Sequence, residues 1–206
     1  MSDSFSMRMS GDDGLAPPAE IFAVKPDRKG PKTIAILLIL GSLLMGVVAY
    51  GDIASSFAED LTQEDLDLLL TNVRNGGDEI TDEEYQEFHD KARDSGAYSI
   101  RGWSIMIGAV LIFVGGILLF RLNGQGSKLA IGGCLLAALG GIYANWEIYS
   151  ISAEMLPPSL TIAYRNLGYL CGICMAICMA LSALPLLNAG ARAALYPKVT
   201  LTLEEE

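Results

Sequence analysis

Histidine is almost missing from this chain: its 206 residues contain one, His89. A haem or zinc site built on several imidazoles is therefore excluded within one copy. Cysteine is scarce too. Cys134, Cys171, Cys174 and Cys178 all lie inside apolar blocks, and the long polar segment has none. That excludes a polar domain stapled by disulfides. Positive charge is the minority, with 14 Lys and Arg against 24 Asp and Glu and a formal net charge of -10. Nucleic acid, itself a polyanion, is excluded as a partner on electrostatic grounds. No phosphate-binding glycine loop, nucleophile elbow or metalloprotease motif occurs. No ionisable residue stands at the centre of an apolar block, as one would in a pump, proton relay or voltage sensor.

What is present is hydrophobic residue, 51% of the chain, gathered in long blocks rather than at the spacing of a soluble core. An apolar run of roughly 18 residues spans a bilayer, because ~1.5 Å per residue must cover ~30 Å of hydrocarbon. Four such blocks occur: 33-50, 103-120, 129-149 and 166-187. The expected fold is all-α, a four-helix transmembrane bundle with a small external helical hairpin over 51-101. Residues 1-31, with Pro17-Pro18 and many Gly, Ser and Asp, read as a disordered tail, and 188-206 as a second tail. Ala49-Tyr50-Gly51 loosely fits a signal-peptide cleavage site. The polar stretch before it is far longer than an ordinary leader, so the block reads as a retained span.

Lys and Arg near the span ends set the orientation. Lys25, Arg28, Lys29 and Lys32, the turn Arg121 to Lys128, and Arg192 with Lys198 all fall on one side. The other side has Arg101 and Arg165 and is otherwise acidic. Both termini are thus expected in the cytoplasm of a multi-pass protein of the cell membrane. Tyr50, Tyr98, Trp103, Tyr143, Trp146, Tyr149, Tyr164 and Tyr169 gather toward the external ends, where amphipathic rings favour the headgroup zone. Asn145 and Glu147 read as interfacial, and Pro185 as a kink or end of the fourth span.

The loop from Gly51 to Arg101 carries fourteen acids and four bases, a net charge equal to that of the whole chain. Two helix starts lie within it. Leu61-Thr62-Gln63-Glu64-Asp65-Leu66 and Ile80-Thr81-Asp82-Glu83-Glu84-Tyr85 each place a capping Thr three residues before an acid, with flanking apolar residues as a staple. Asn75-Gly76-Gly77 breaks the chain between them. Leu66, Leu69, Leu70 and Val73 make the expected apolar face of the first helix; Tyr85, Phe88 and Ala92 make that of the second. The stretch from Thr62 to Asp94 resembles an EF-hand. Ile80 falls at its central β position, Asn75 at its third ligand position and Glu84 at its bidentate last position. Val73 replaces the first carboxylate, Gly77 the fifth-position ligand and Asp78 the turn glycine. The resemblance implies calcium as the cation and Asn75, Asp78 and Glu84 as its candidate ligands. The alternative is a capped hairpin with a solvated acidic face.

In the fourth span Gly168, Gly172, Ala176 and Ala180 recur every four residues, a small-residue ridge suited to helix packing within the bundle or to a homo-oligomer. Cys171, Cys174 and Cys178 share one face with Met175 and Met179 beside them, soft side chains that could hold Cu(I) or simply pack in lipid. Cys171-x-x-Cys174 resembles the pair in four-helix membrane thiol oxidoreductases of the vitamin K epoxide reductase kind. Those enzymes use partner cysteines in an external loop, and here that loop has none. The expected function is a non-enzymatic membrane scaffold or interaction protein, with no cofactor beyond calcium and with the bilayer and a protein as partners. The alternatives are a thiol oxidoreductase using Cys171 and Cys174, and a small channel or transporter subunit.

Overall fold

The computed structural model describes residues 25-58 and 60-196. Most of the N-terminal tail, together with Glu59, Lys198 and the terminal acids, lies outside the described residues. Four helices are long and apolar enough to cross a membrane: α1 (Lys29–Phe57), α4 (Ala97–Phe120), α5 (Gln125–Met155) and α6 (Pro158–Leu187). Between the first two stand α2 (Gln63–Asn75) and α3 (Asp82–Asp94), and α7 (Ala189–Leu195) closes the described chain. No strand occurs among the described residues. The protein is an all-helical, multi-pass membrane protein.

Each spanning helix is longer than its apolar block. At ~1.5 Å per residue the 31 residues of α5 extend ~46 Å, well past ~30 Å of hydrocarbon. Apolar patterning marks where lipid lies, whereas a helix continues until a cap or a proline stops it. Pro157-Pro158 separates α5 from α6, and α1 runs on through Asp52 to Phe57. The longest overhanging turns, at the end of α1, the start of α4, the end of α5 and the start of α6, stand at one end and form a platform there.

α4 is the centre of the bundle and packs on α1 and α5. Glycines make this possible. A Cβ at Gly102 would lie 2.9 Å from the backbone nitrogen of Ile53 on α1, and one at Gly108 2.8 Å from the carbonyl oxygen of Gly133 on α5. Gly115 and Gly126 oppose each other across the same α4–α5 contact. α6 leans on α5 and is the least covered span: 11% of its most apolar window is buried, against 39% in α4.

At the end carrying both described termini, Ala35, Leu38, Ile112, Leu119, Ala130 and Cys134 form a core that Leu195 of α7 completes. Asp27 caps α1 by accepting the Lys29 and Gly30 N–H groups at 2.9 and 3.0 Å, and its own N–H donates to Gly190 at 2.9 Å. Asn188 caps α7 through the Ala191 N–H at 3.1 Å. The segment after the fourth span is thus a docked helix as far as Leu195. Pro185 sits inside α6 two residues before its end at Leu187, so the helix stops just after a residue that has no N–H to give the preceding turn.

Candidate functional site

The hairpin of α2 and α3 is built onto the platform. Thr81 accepts the Glu84 N–H at 3.2 Å while the Glu84 carboxylate accepts the Thr81 N–H at 2.9 Å, a complete capping box. At Thr62 only half of the device forms: its hydroxyl accepts the Asp65 N–H but donates to the Asp65 carboxylate. Gly77, at φ +94°, makes the turn between the helices in a conformation other side chains resist. Leu66, Leu70, Ile80, Tyr85, Phe88 and Ala92 are buried with Ile148 and Ile151 of α5, Leu160 of α6 and Leu156 between those helices. Leu69, expected on the apolar face, is 45% exposed, because the face that meets the platform is narrower than the leucine run.

Polar bonds lock this packing. The Tyr85 and Tyr164 hydroxyls lie 2.7 Å apart, and the Phe88 and Tyr164 rings 5.2 Å apart. Lys91 Nζ donates to Glu154 at 2.9 Å, and Arg93 Nη1 to the Ala58 carbonyl at 2.7 Å. Replacing Thr81 with Ala should cost about 1 kcal/mol and loosen α3 first, which hydrogen exchange of its amides would register. Unchanged protection would mean that the platform, not the cap, sets the start of α3.

The candidate calcium ligands lie at and between the facing ends of α2 and α3, and two of them have other duties. Asn75 is exposed at the end of α2. The Asp78 carboxylate accepts the Ser159 hydroxyl, and that of Glu84 closes the capping box. Ile80 is buried at 6% exposure in the hairpin core. Among the described residues no group of three or more His, Cys, Asp or Glu is arranged to hold a metal ion. Asp82 is engaged as well: Arg74 at 2.5 Å and Gln63 at 2.6 Å hold its carboxyl below the usual carboxylate range.

His89 is 4% exposed, stacks 5.3 Å from the Tyr98 ring, and has no hydrogen-bond partner on either ring nitrogen. Burial pushes its pKa down, Asp90 at 4.0 Å opposes that, and Arg93 adds to it. The folded ring therefore stays neutral where the unfolded one takes up a proton, near pH 6.5. Stability from this site is full above about pH 6.5 and is lost as pH falls toward the lower folded value. Thermal unfolding of the purified protein should shift downward between pH 7.5 and pH 5.5, and His89→Phe should flatten that shift. An equal shift in the variant would place the acid sensitivity in the carboxylates instead.

Where α1 and α4 leave the bilayer at the hairpin end, Arg101 grips Asp52 in a bidentate pair, Nε to Oδ2 at 2.8 Å and Nη2 to Oδ1 at 2.5 Å. Arg101 Nη1 also donates to Asn145 of α5 at 3.2 Å. Both charged side chains are largely buried, at 14% and 10% exposure. Sequence reasoning placed Asp52 in a solvated loop and Asn145 at an interface. The overlooked signal is positional: Asp52 and Arg101 stand just outside the facing ends of consecutive spans.

Between α5 and α6 runs an apolar groove of about 980 Å³. Gly168, Gly172 and Ala176 line it. Of the ridge expected to pack within the bundle or in a homo-oligomer, Gly172, Ala176 and Ala180 are uncovered within one chain; a Cβ at Gly172 would meet nothing within 4 Å, and only Gly168 approaches α5, at Asn145. The close glycine contacts are instead those of α4 with α1 and α5. Cys171 faces the groove, Cys174 is exposed on the outer side of α6, and all four cysteines are free thiols. No family model, curated protein or solved structure matches this chain. Three features remain as its own: a locked acidic hairpin, a buried ion pair beneath it, and an open groove beside it.

Proposed function

We propose that this protein is a non-enzymatic membrane interaction protein that holds its acidic hairpin outside the cytoplasm, with both termini inside the cell. The observation that carries the reading is the mounting of the hairpin. Most of its apolar residues are buried against the platform, while Glu64, Asp65, Asp67, Glu79, Glu83 and Glu87 stay exposed, as does Leu68 at 76%. A rigid acidic surface with an exposed apolar contact suits a partner with a basic rim and an apolar pocket, since complementary charge speeds encounter and a buried apolar anchor holds it. Lys and Arg at the opposite end support the orientation.

The test is photocrosslinking in intact cells from a probe at position 68. The expected result is one discrete protein adduct, weakened several-fold when Glu64 and Asp67 are both changed to Gln, and labelling of Ser95→Cys by an impermeant thiol reagent from outside. An adduct indifferent to those charges would remove the acidic surface from the function. Loss of a thiol-dependent activity in Cys171→Ser/Cys174→Ser would replace this reading with membrane redox chemistry.

A further inference from the structure

We propose that the groove between α5 and α6 holds one anionic membrane lipid, its phosphate on Arg165 and an acyl chain along α6 toward Met179. This goes beyond the hairpin reading and does not depend on it. The groove is walled by apolar side chains, among them Ile142, Ile173 and Met175, and is kept open by the small residues of α6. At its hairpin end it is lined by Arg165, Asn145, Trp146 and Tyr149. Aromatic and amide groups of this kind favour the headgroup level, and below them the walls become wholly hydrocarbon-like.

Charge singles out the occupant. Among the described residues at the hairpin end, Arg74, Lys91, Arg93 and Arg101 each have a carboxylate within 4 Å. Arg165 has no such partner, although this side of the protein is rich in acids. A guanidinium suits bidentate contact with phosphate. Size agrees. From Arg165 to Met179 α6 rises ~20 Å, about one leaflet including its headgroups. A second helix about 10 Å across over that length would need roughly 1,600 Å³, more than the groove provides. A lipid chain needs less.

The protein carries its own probe, because Trp146 lines the groove and Trp103 is the other of its two tryptophans. The full chain bearing Trp103→Phe, in phosphatidylcholine vesicles, would be titrated with brominated phosphatidylglycerol or brominated phosphatidylcholine while Trp146 fluorescence is read. Phosphatidylglycerol should quench at about tenfold lower mole fraction, because the choline cation of phosphatidylcholine offsets its phosphate charge beside Arg165 and phosphatidylglycerol has no such cation. Arg165→Gln should bring the two curves together, and Arg165→Lys should keep most of the difference. A Cβ at Gly172 meets nothing within 4 Å, so Gly172→Leu puts bulk at the groove lining and should weaken quenching by phosphatidylglycerol several-fold. Equal quenching by both lipids in the parent, or a preference that survives Arg165→Gln, would overturn the proposal. So would a stable dimer whose Trp146 neither lipid reaches.

Discussion

Asp52→Leu should destabilise the folded protein by about 3–5 kcal/mol, the usual penalty for stranding one charge of a buried pair. The measurement is unfolding of the purified chain in mixed micelles as denaturing detergent is raised. The carboxylate accepts two guanidinium bonds at 2.5 and 2.8 Å, and its removal leaves Arg101 with one hydrogen bond, to Asn145, and the Tyr98 ring 5.8 Å away. Some loss will be recovered if Arg101 swings toward water, since long cationic side chains reach for the interface. Desolvation and attraction nearly cancel in an intact buried pair, so Asp52→Leu/Arg101→Met should lie within about 1–2 kcal/mol of the parent. Asn145→Ala, which removes one hydrogen bond to a charged group, should cost about 1.5–3 kcal/mol. A single mutant as stable as the parent would mean that the pair is solvated and that α1 and α4 are joined by their glycines alone.

The joint between membrane and hairpin was the least legible part of the sequence. The four spans could be read because lipid demands long apolar runs, and no other environment does. The helix ends could not, because the turns around Asp52, Glu154 and Ser159 are polar yet helical, held by packing that only the fold supplies. The hairpin was legible at Thr81, whose cap is a local device, and at Gly77, whose turn is a local necessity. Leu69 was misplaced, since four leucines and valines on one helix do not say how wide the receiving surface is. His89 gave no signal at all: a lone histidine among acids reads as exposed, and its burial depends on Tyr98 being folded back beside it. The fourth-span ridge shows the same limit. A small-xxx-small repeat reports that close approach is permitted, not that a neighbour comes, and here the neighbour stays away and a groove results.

Where the neighbour does come, small residues should be indispensable. Gly126→Ala would place a Cβ 2.5 Å from both the Gly115 carbonyl oxygen and the Leu119 amide nitrogen. Both are backbone atoms of α4, so no rotamer change relieves the contact, and the two helices must part. Overpacking of this kind costs about 1–3 kcal/mol for a single carbon, and Gly126→Leu should exceed that and abolish the folded state in mild detergent. Gly115→Ala, 2.7 Å from the Gly126 carbonyl oxygen, should behave alike. The informative controls are Gly132→Ala and Gly172→Ala, since a Cβ at either position meets nothing within 4 Å. Losing glycine from a helix interior is itself favourable by up to ~1 kcal/mol, so both controls should be neutral or slightly stabilising. The comparison separates tertiary contact from helix propensity, because all four substitutions make the same chemical change. If Gly126→Ala and Gly132→Ala unfolded at the same detergent fraction, the α4–α5 approach would be looser than these distances state, and the bundle would owe its cohesion to the Asp52–Arg101 clasp and the hairpin core above it.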